Sequence, residues 1–317
     1  MNMAKGLVIR GSKNLFTVRI EENETEEKEI ECRIKGKILK GVEGYYNPLA
    51  PGDLVEISDN QIIGLGSRRN KFARFNQKGQ AQQLLAANVD IVLCICSVSS
   101  PPFRPRFIDR ALIQADIAGI SAAIVCNKYD LAEDIDPDIE ERLSDYRRIG
   151  SDVFCISALT GEGLEELKSF IEGRLSVLVG QSGVGKSSLV NALVPELNLK
   201  TGAINEKYDR GIHTTTQGVL LEAQIDNGRK KIRLIDTPGI RRFALAGIPP
   251  EDLALHMSEI APLVGKCSYG LSCSHETEPG CKIMEAVHAG LIHEDRYESF
   301  LRIREELMGK QEYLDND

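Results

Sequence analysis

The string "GQSGVGKS", from Gly180 to Ser187, constrains the fold of this chain more than any other feature. It fits the spacing G-x-x-x-x-G-K-S, directly follows the apolar run "LSVLV", and opens the helical run "SSLVNALV". A glycine-rich loop between a buried strand and a helix turns its backbone N–H groups toward phosphate oxygens at the helix N-terminus. The sequence therefore predicts a phosphate-binding loop (P-loop) on a parallel α/β sheet.

The P-loop residues have separate expected roles. We expect Lys186 to reach the β- and γ-phosphate oxygens, as a catalytic residue, and the Ser187 hydroxyl to bind Mg²⁺. The other residues expected to contact the nucleotide here are Gly180, Gln181, Ser182, Gly183, Val184, Gly185 and Ser188. The segment predicts a nucleotide site with Mg²⁺ as its cofactor.

A second motif, "DTPG" at 236–239, follows the apolar run "IRLI". Taken alone it is equally typical of a turn that ends a strand. Beside a P-loop, it predicts that Asp236 holds Mg²⁺ through water and that the N–H of Gly239 meets the γ-phosphate.

Two earlier segments are expected to recognise the base. "NKYD" at 127–130 ends a buried strand, and the Asp130 carboxylate matches the N1–H and the exocyclic amine of guanine, an amine that adenine lacks. We expect Asn127 to contact the other edge of the base and tie nearby loops, and the Lys128 stem to pack along the ring. Ser157 and Ala158 follow the next strand, where a backbone N–H can meet guanine O6.

The motif order is base readers, P-loop, metal sensor, whereas an ordinary GTPase begins with its P-loop. Because the termini of a compact domain lie close together, joining them and cutting elsewhere preserves the sheet. The order predicts a circularly permuted GTPase domain. Its DTPG segment then runs directly into the C-terminal region, on which a γ-phosphate-sensitive loop can act.

The regions on either side have different patterns. Residues 1–74 contain five short alternating runs, which predict a small OB-like β-barrel that binds RNA, with the acidic "EENETEEKE" as a solvated hairpin loop. The predicted chain is multidomain: the barrel at 1–74, the permuted α/β P-loop GTPase domain at 75–247, and an α-helical zinc-binding domain at 248–317.

Three of the eight cysteines cluster near the C-terminus, together with a histidine. Cys267, Cys273, His275 and Cys281 provide three thiolates and one imidazole, a set suited to one structural Zn²⁺ in a closed tetrahedral site. The alternative is a group of ordinary or redox-active thiols.

The composition, 42% hydrophobic and 27% charged, is that of a soluble globular protein. The absence of a long apolar run and of a signal peptide leads us to expect no membrane contact and a cytoplasmic location. Nothing in the pattern indicates coiled-coil association, so we expect a monomer. A net charge of −8 argues against indiscriminate nucleic-acid binding but allows local basic patches. Candidate RNA contacts, each with a solvated surface side chain as the alternative, are Arg68, Arg69, Lys71, Phe72, Arg74, Phe75, Arg104, Arg106, Arg241 and Arg242.

The motif order, together with "GIHTTT" at 211–216 and "HETEPGC" at 275–281, resembles the RsgA/YjeQ family of small-ribosomal-subunit-stimulated GTPases over nearly the whole chain. The resemblance implies hydrolysis of GTP to GDP and phosphate, stimulated by the 30S subunit during its late maturation, with 16S rRNA as the main contact. One departure concerns zinc. Five residues separate Cys267 from Cys273, where the family has four, which puts Cys267 in question as a ligand.

The catalytic group is less well marked. Ile240 follows DTPG where many GTPases have a glutamine that orients water, and an aliphatic side chain cannot do this. Gly183 occupies the place where other GTPases hold K⁺ through an asparagine. His213 is our candidate for positioning the water, with contact to RNA or solvent as the other interpretation.

Switch I should supply the second hydroxyl ligand of Mg²⁺. Thr215 is the first candidate, and Thr214 and Thr216 are alternatives. Two other functions remain open from the sequence: a permuted GTPase of the large subunit, and a GTP-gated RNA-binding module with negligible hydrolysis.

Overall fold

The computed structural model describes residues 3–12, 14–23, 26–36, 45–76, 79–134, 136–195, 218–225 and 230–309. His213 and the three threonines at 214–216 lie outside the described residues. Their predicted roles therefore stay predictions.

Five strands close into an N-terminal barrel in the order β1–β2–β3–β5–β4. The strands are β1 Ala4–Ser12, β2 Leu15–Asn23, β3 Glu26–Ile34, β4 Leu54–Ser58 and β5 Gln61–Leu65. Their inward-facing apolar side chains form a separate core that includes Val8, Phe16, Val18 and Ile62. The predicted five-stranded barrel is confirmed.

The acidic segment at 21–29 is mostly strand, so the prediction of a solvated loop there was wrong. β2 and β3 stay paired as far as Asn23 and Glu26. Opposite charges across an antiparallel ladder support its pairing, and Arg19 on β2 pairs with Glu29 on β3 at 3.2 Å. Acidic composition therefore did not mark where the strands end.

A two-stranded hairpin follows the barrel. Its strands are β6 Lys71–Asn76 and β7 Ala81–Ala87, paired antiparallel. Phe72 is fully buried and its ring lies 5.8 Å from that of Phe243. The hairpin thus packs on the segment that follows the DTPG motif.

A six-stranded sheet forms the centre of the molecule in the order β10–β9–β8–β11–β13–β12. The strands are β8 Ile91–Ser97, β9 Ser121–Asn127, β10 Asp152–Cys155, β11 Leu175–Gly180, β12 Val219–Ile225 and β13 Lys230–Asp236. All neighbours are parallel except β12, which pairs antiparallel with β13. The carboxyl ends of β9, β11 and β13 therefore meet at one edge, which is where ligands bind in such sheets.

Four α-helices cover the two faces of this sheet. They are α1 Pro105–Ile117, α2 Pro137–Arg148, α3 Leu164–Ile171 and α4 Lys186–Leu193. The Asp136 side chain caps α2 by accepting from the Asp138 N–H, and Pro137 takes the first helical position.

After residue 248 the chain is helical, in short pieces. Three 3₁₀ helices, Pro250–His256, Ala261–Leu263 and Gly270–Ser272, precede α5 Lys282–His288 and α6 Glu294–Leu307. Pro250 stands at the start of the first piece, where proline is tolerated, whereas Pro262 cannot donate a backbone hydrogen bond and prevents one long α-helix through this stretch. None of the described helices is both long and apolar enough to cross a bilayer.

A buried ionic cluster joins this C-terminal region to the central domain. Arg296 on α6 donates to Asp109 on α1 and to Glu259, each at 2.7 Å, and all three side chains are at most 5% exposed. Tyr146 on α2 donates to the same Asp109 carboxylate at 2.6 Å. The last helix is therefore fixed to both α1 and α2.

Candidate functional site

The P-loop has the strand–loop–helix geometry that the sequence predicted. β11 ends at Gly180, α4 begins at Lys186, and the intervening Gly183 and Gly185 have φ of 88° and 93°. These are left-handed conformations that favour glycine. A Cβ on Gly185 would lie 2.3 Å from the Asn127 amide nitrogen, so this position also requires the absence of a side chain.

Lys186 and Asp236 form the buried charged centre of the site. The Lys186 ammonium donates to the carbonyl oxygens of Gly180 and Gln181 at 2.8 Å each. Burial lowers the pKa of Lys186 to about 8, although Asp236 opposes this shift. Burial likewise raises the pKa of Asp236 to about 6, against the opposing effect of Lys186.

Asp236 has the donor chemistry that a hard divalent cation requires. Its Oδ1 is buried and has no hydrogen-bond partner among the described residues. Because an unpaired buried carboxylate oxygen is costly, this atom is suited to Mg²⁺ or to its bound water. Asp236 thus fits the predicted magnesium site, and the role of Ser187, near the start of α4, stays a prediction.

The DTPG segment lies against the P-loop. The Thr237 hydroxyl donates to the Leu178 carbonyl at 2.6 Å, and the Ile240 N–H donates to the Gly180 carbonyl at 3.1 Å. A Cβ on Gly239 would come within 3.0 Å of the Ser182 backbone. The missing side chain of Gly239 lets this loop approach the phosphate-binding backbone closely, and its contact with the γ-phosphate stays a prediction.

Asn127 joins three loops at the carboxyl edge of the sheet. Its Nδ2 donates to the Val184 carbonyl in the P-loop at 3.0 Å. Its Oδ1 accepts from the backbone N–H groups of Lys128 at 2.8 Å and Ala158 at 3.0 Å. The side chain is only 2% exposed, so its contacts are those of a structural tie between base-reading and phosphate-binding loops.

The other predicted base readers lie on the loops that follow β9 and β10. Lys128 has φ of 66°, and its ammonium donates to the Ser100 carbonyl. Asp130 is exposed at the start of the following 3₁₀ turn. Ser157 is fully buried, and its hydroxyl accepts from the N–H groups of Leu159 and Thr160.

The assignment of the Ala158 N–H to guanine O6 stays a prediction. In this conformation that N–H donates to Asn127. The predicted base readers and P-loop residues nevertheless share one edge of the sheet.

The sequence reasoning missed the loop between β8 and α1. Pro101 in this loop lies 3.5 Å from the position of a Cβ on Gly183, and Ser100 accepts from Lys128. The position of this loop in the sheet could have indicated a role, because the loop follows the carboxyl end of β8, and β8 lies next to the P-loop strand β11.

The cysteine cluster has the geometry of a tetrahedral zinc site. The ligand atoms of Cys267, Cys273, His275 and Cys281 all lie within 4.8 Å of one another, and all four residues are buried. The Sγ atoms of Cys267 and Cys281 are 3.9 Å apart, and each lies 3.5 Å from His275 Nδ1. Tetrahedral zinc would separate two sulfurs by about 3.8 Å and a sulfur from a nitrogen by about 3.6 Å.

The cluster therefore fits zinc, and Cys267 belongs to it despite the longer spacing. Gly270, with φ of 54°, turns the chain within that longer segment. Outer contacts hold the ligands: Lys282 donates its N–H to Cys267 Sγ at 3.3 Å, and the Tyr297 hydroxyl donates to the His275 carbonyl at 2.6 Å. Such outer contacts orient metal ligands.

Part of the predicted RNA-binding patch is structural. Arg68 makes a two-bond ion pair with the buried Asp53, with both distances at 2.7 Å. Phe72 is fully buried and cannot stack on a base. Arg69 pairs with Asp90 at 2.6 Å and Arg106 with Glu298 at 2.9 Å. For Arg68 and Phe72 the prediction of RNA contact was wrong, because spacing alone does not reveal buried partners.

A P-loop, a DTPG loop and an NKxD loop at one edge of a sheet, in permuted chain order, define a circularly permuted GTPase. A family model described as RsgA GTPase matches residues 65–246. The chain belongs to this family and is a hydrolase that acts on GTP.

Relatives and solved structures resemble the chain over nearly its whole length. The small ribosomal subunit biogenesis GTPase RsgA of Phocaeicola vulgatus is 36% identical, covering 95% of this chain and 96% of that protein. The protein of the same name from Gemmatimonas aurantiaca is 37% identical, with coverage of 96% and 98%.

YjeQ from Thermotoga maritima superposes with a TM-score of 0.71 at 30% identity, covering 98% of this chain and 100% of that one. YloQ, described as a circularly permuted GTPase, gives 0.66 at 24% identity, with coverage of 99% and 98%, a likeness of fold.

Proposed function

We propose that this GTPase acts in maturation of the small ribosomal subunit, binds the 30S particle through 16S rRNA, and hydrolyses GTP faster when bound to it. The support is the name shared by relatives that match more than nine-tenths of the chain, small ribosomal subunit biogenesis GTPase. Slow turnover of the free protein is expected, on the order of 10⁻⁴–10⁻² s⁻¹, as for unstimulated GTPases.

The observation that carries the nucleotide assignment is the position of Asn127. It hydrogen-bonds the backbone of the NKxD loop, the Ser157–Ala158 loop and the P-loop, which come from three separate parts of the chain. In the proposed site, Asp130 recognises guanine and Lys186 contacts the β- and γ-phosphates. In the proposed site these three segments form a single nucleotide pocket, although their order along the chain is permuted.

The proposed metals have different tasks. Mg²⁺ would be held by Ser187, by Asp236 and by Thr215 of switch I, and would neutralise charge on the β- and γ-phosphates. Zn²⁺ would be held by the three cysteines and His275, and would stabilise the C-terminal region rather than take part in hydrolysis.

We also propose three domains, with boundaries near residues 74 and 247, and a monomeric protein. The barrel strands end at Leu65 and the central sheet begins at Ile91, with the β6–β7 hairpin between them. The last described strand ends at Asp236, before the 3₁₀ helix that starts at Pro250.

The function is tested by GTP turnover with purified small and large ribosomal subunits at equal concentration. The proposal expects stimulation by the small subunit only, and competition by GDP but not by ADP. Lys186→Ala protein is the control, because it should lose hydrolysis with either particle. Equal stimulation by both subunits, or none by the small one, would contradict the proposal.

A further inference from the structure

We propose that Arg104 is a positioning residue for GTP hydrolysis and acts through Gln181 of the P-loop. The proposal rests on the proposed function in one respect, that the P-loop holds the triphosphate of GTP. It adds a pair of residues that the motifs do not assign to the hydrolytic step.

The two side chains meet from separate elements. Arg104 immediately precedes α1, and Gln181 immediately follows β11. With its carboxamide oxygen turned toward the guanidinium group, Gln181 accepts from Arg104 Nε at 3.3 Å and from Nη1 at 3.0 Å. Two donors of one planar group on one oxygen fix the direction of the carboxamide.

The charge of Arg104 is not neutralised by a carboxylate within the described parts of the chain. Its neighbours on α1 differ, since Arg106 pairs with Glu298 at 2.9 Å and Arg110 pairs with Glu306 at 2.5 Å. Arg104 is half-buried. A cation held beside a phosphate-binding loop favours the negative charge that develops in phosphoryl transfer.

The hydrolytic step needs a group of this kind because the usual one is absent. Ile240 is 3% exposed and aliphatic, so it cannot orient water. Its N–H donates to the carbonyl oxygen of Gly180, the residue just before Gln181. The carboxamide of Gln181, in the P-loop, therefore lies next to the point where the DTPG segment contacts the P-loop. It can replace the glutamine that many GTPases have after DTPG.

The contact with Arg104 occupies one side of the Gln181 oxygen and leaves the amide N–H groups to donate to the γ-phosphate or to orient the attacking water. In the reaction, water forms a new bond to the γ-phosphorus and the bond from that phosphorus to the β–γ bridging oxygen breaks. The electron pair leaves with GDP, and the proton of the water ends on inorganic phosphate. Arg104 keeps the carboxamide in place and is not itself consumed.

The test compares single-turnover GTP hydrolysis and GDP affinity in Arg104→Met, Gln181→Ala and the double variant. Arg104→Met should slow hydrolysis about 10- to 100-fold, the range for one hydrogen bond to a charged group. GDP affinity should change less than about threefold, because the missing contact serves the reaction. Arg174→Met, which changes an exposed arginine at the amino end of β11, is the matched control and should hydrolyse GTP at the wild-type rate.

The double variant separates positioning from an independent effect. If Arg104 acts through Gln181, the double variant is no slower than Gln181→Ala alone. If the rate loss in the double variant equalled the product of the losses in the two single variants, the proposal would be overturned. An unchanged hydrolysis rate in Arg104→Met would also overturn it.

Arg104→Lys covers the case in which the methionine variant does not fold. It keeps the charge but not the two-donor geometry, so it should also be slow, and wild-type rates with lysine would overturn the proposal. A wild-type protein that bound GTP without hydrolysing it would overturn the proposed function itself. An active wild type with unaffected Arg104 variants would overturn this inference alone.

Discussion

The carboxamide of Asn127, at the end of β9, donates to the carbonyl oxygen of Val184 in the P-loop at 3.0 Å, across 57 residues of sequence. The same side chain holds the Ala158 N–H. One buried residue therefore fixes the distance between the base-reading and phosphate-binding loops. In the proposed site a nucleotide spans both loops, so we expect its affinity to depend on this bond even without a direct contact to Asn127.

Asn127→Ala is expected to weaken binding of GTP and GDP together, by about 10-fold or more. The substitution leaves one carbonyl and two N–H groups without their partner, each worth roughly 1–3 kcal/mol when buried. Titration with a fluorescent guanine nucleotide measures the effect. Asn70→Ala is the matched control, since Asn70 bonds both backbone groups of Val89 far from the nucleotide loops. Equal nucleotide affinity in the two variants would contradict this role.

Asp130→Asn should change which base is bound. The carboxylate accepts two N–H donors of guanine, whereas an amide offers one acceptor and one donor, which suits the C2 carbonyl of xanthine. GTP affinity should fall at least about 100-fold while xanthosine triphosphate gains affinity. Competition binding with both nucleotides tests this, and Asp138→Asn, on the first turn of α2, should leave preference unchanged. Loss of both nucleotides would mean that Asp130 supports the loop rather than reads the base.

The nucleotide site could be predicted because its signals are local. Glycines that need φ near 90°, such as Gly183 and Gly185, lie within a few residues of the strand and helix they connect. A buried parallel strand is also visible as a continuous apolar run. Each motif follows a predicted strand, and the order of these strands along the chain indicates the permutation.

Two of the errors, at Phe72 and Arg68, concern partners that are not neighbours in the sequence. Phe72 resembled a base-stacking residue because Phe243, the residue that packs on it, comes much later in the chain. Arg68 resembled a phosphate contact because Asp53 gives no sign that it is buried. The pairing of Asp109 with Arg296 likewise has no signature in composition or periodicity. The Phe72–Phe243 and Asp109–Arg296 contacts depend on how domains dock, and the Arg68–Asp53 pair depends on the fold of one domain; no local pattern records either.

Zinc removal should unfold the C-terminal region and leave the central sheet intact. Wild-type protein is expected to retain about one zinc per chain after dialysis, and Cys273→Ser to lose it, because three ligands hold zinc less well than four. Metal analysis and thermal unfolding give the two measurements. Cys155→Ser, a half-buried thiol outside the cluster, is the control and should keep its zinc. Full zinc retention by Cys273→Ser would contradict the ligand assignment.

Asp109→Asn should detach the C-terminal helix at neutral pH. Burial alone would raise the pKa of Asp109, but the charges of Arg296 and Arg142 and the hydrogen bond from Tyr146 lower it. Asp109→Asn removes one of the two buried carboxylates that pair with Arg296 and leaves only Glu259, at a cost of up to about 3–5 kcal/mol. Asp116→Asn is the control, because that carboxylate is 62% exposed where it pairs with His256.

The pH dependence of this pair has a defined sign. A carboxyl group with a depressed folded-state pKa stabilises the protein above its unfolded pKa, about 3.9. That contribution falls as the pH drops below 3.9 and is lost once the pH passes below the folded-state pKa. The stability difference between wild type and Asp109→Asn should therefore be constant from pH 7 to about 5 and shrink below about 4. A difference that stayed constant in acid would assign the effect to packing instead of charge.

Arg68→Ala and Lys71→Ala should separate stability from RNA binding in the basic segment after the barrel. Arg68 forms an ion pair with the buried Asp53 and also donates to the Pro48 carbonyl at 2.7 Å. Removal of the Arg68 side chain should cost about 3–5 kcal/mol of stability without changing how rRNA binding depends on salt.

Lys71 is exposed and lies over the Tyr45 ring at 4.8 Å, so removal of the Lys71 side chain should leave stability nearly unchanged. If Lys71 contacts a phosphate, the slope of log affinity against log salt should fall by about one in that variant. The reverse pattern, a changed salt slope in Arg68→Ala with unchanged unfolding, would show that the ion pair opens to bind RNA.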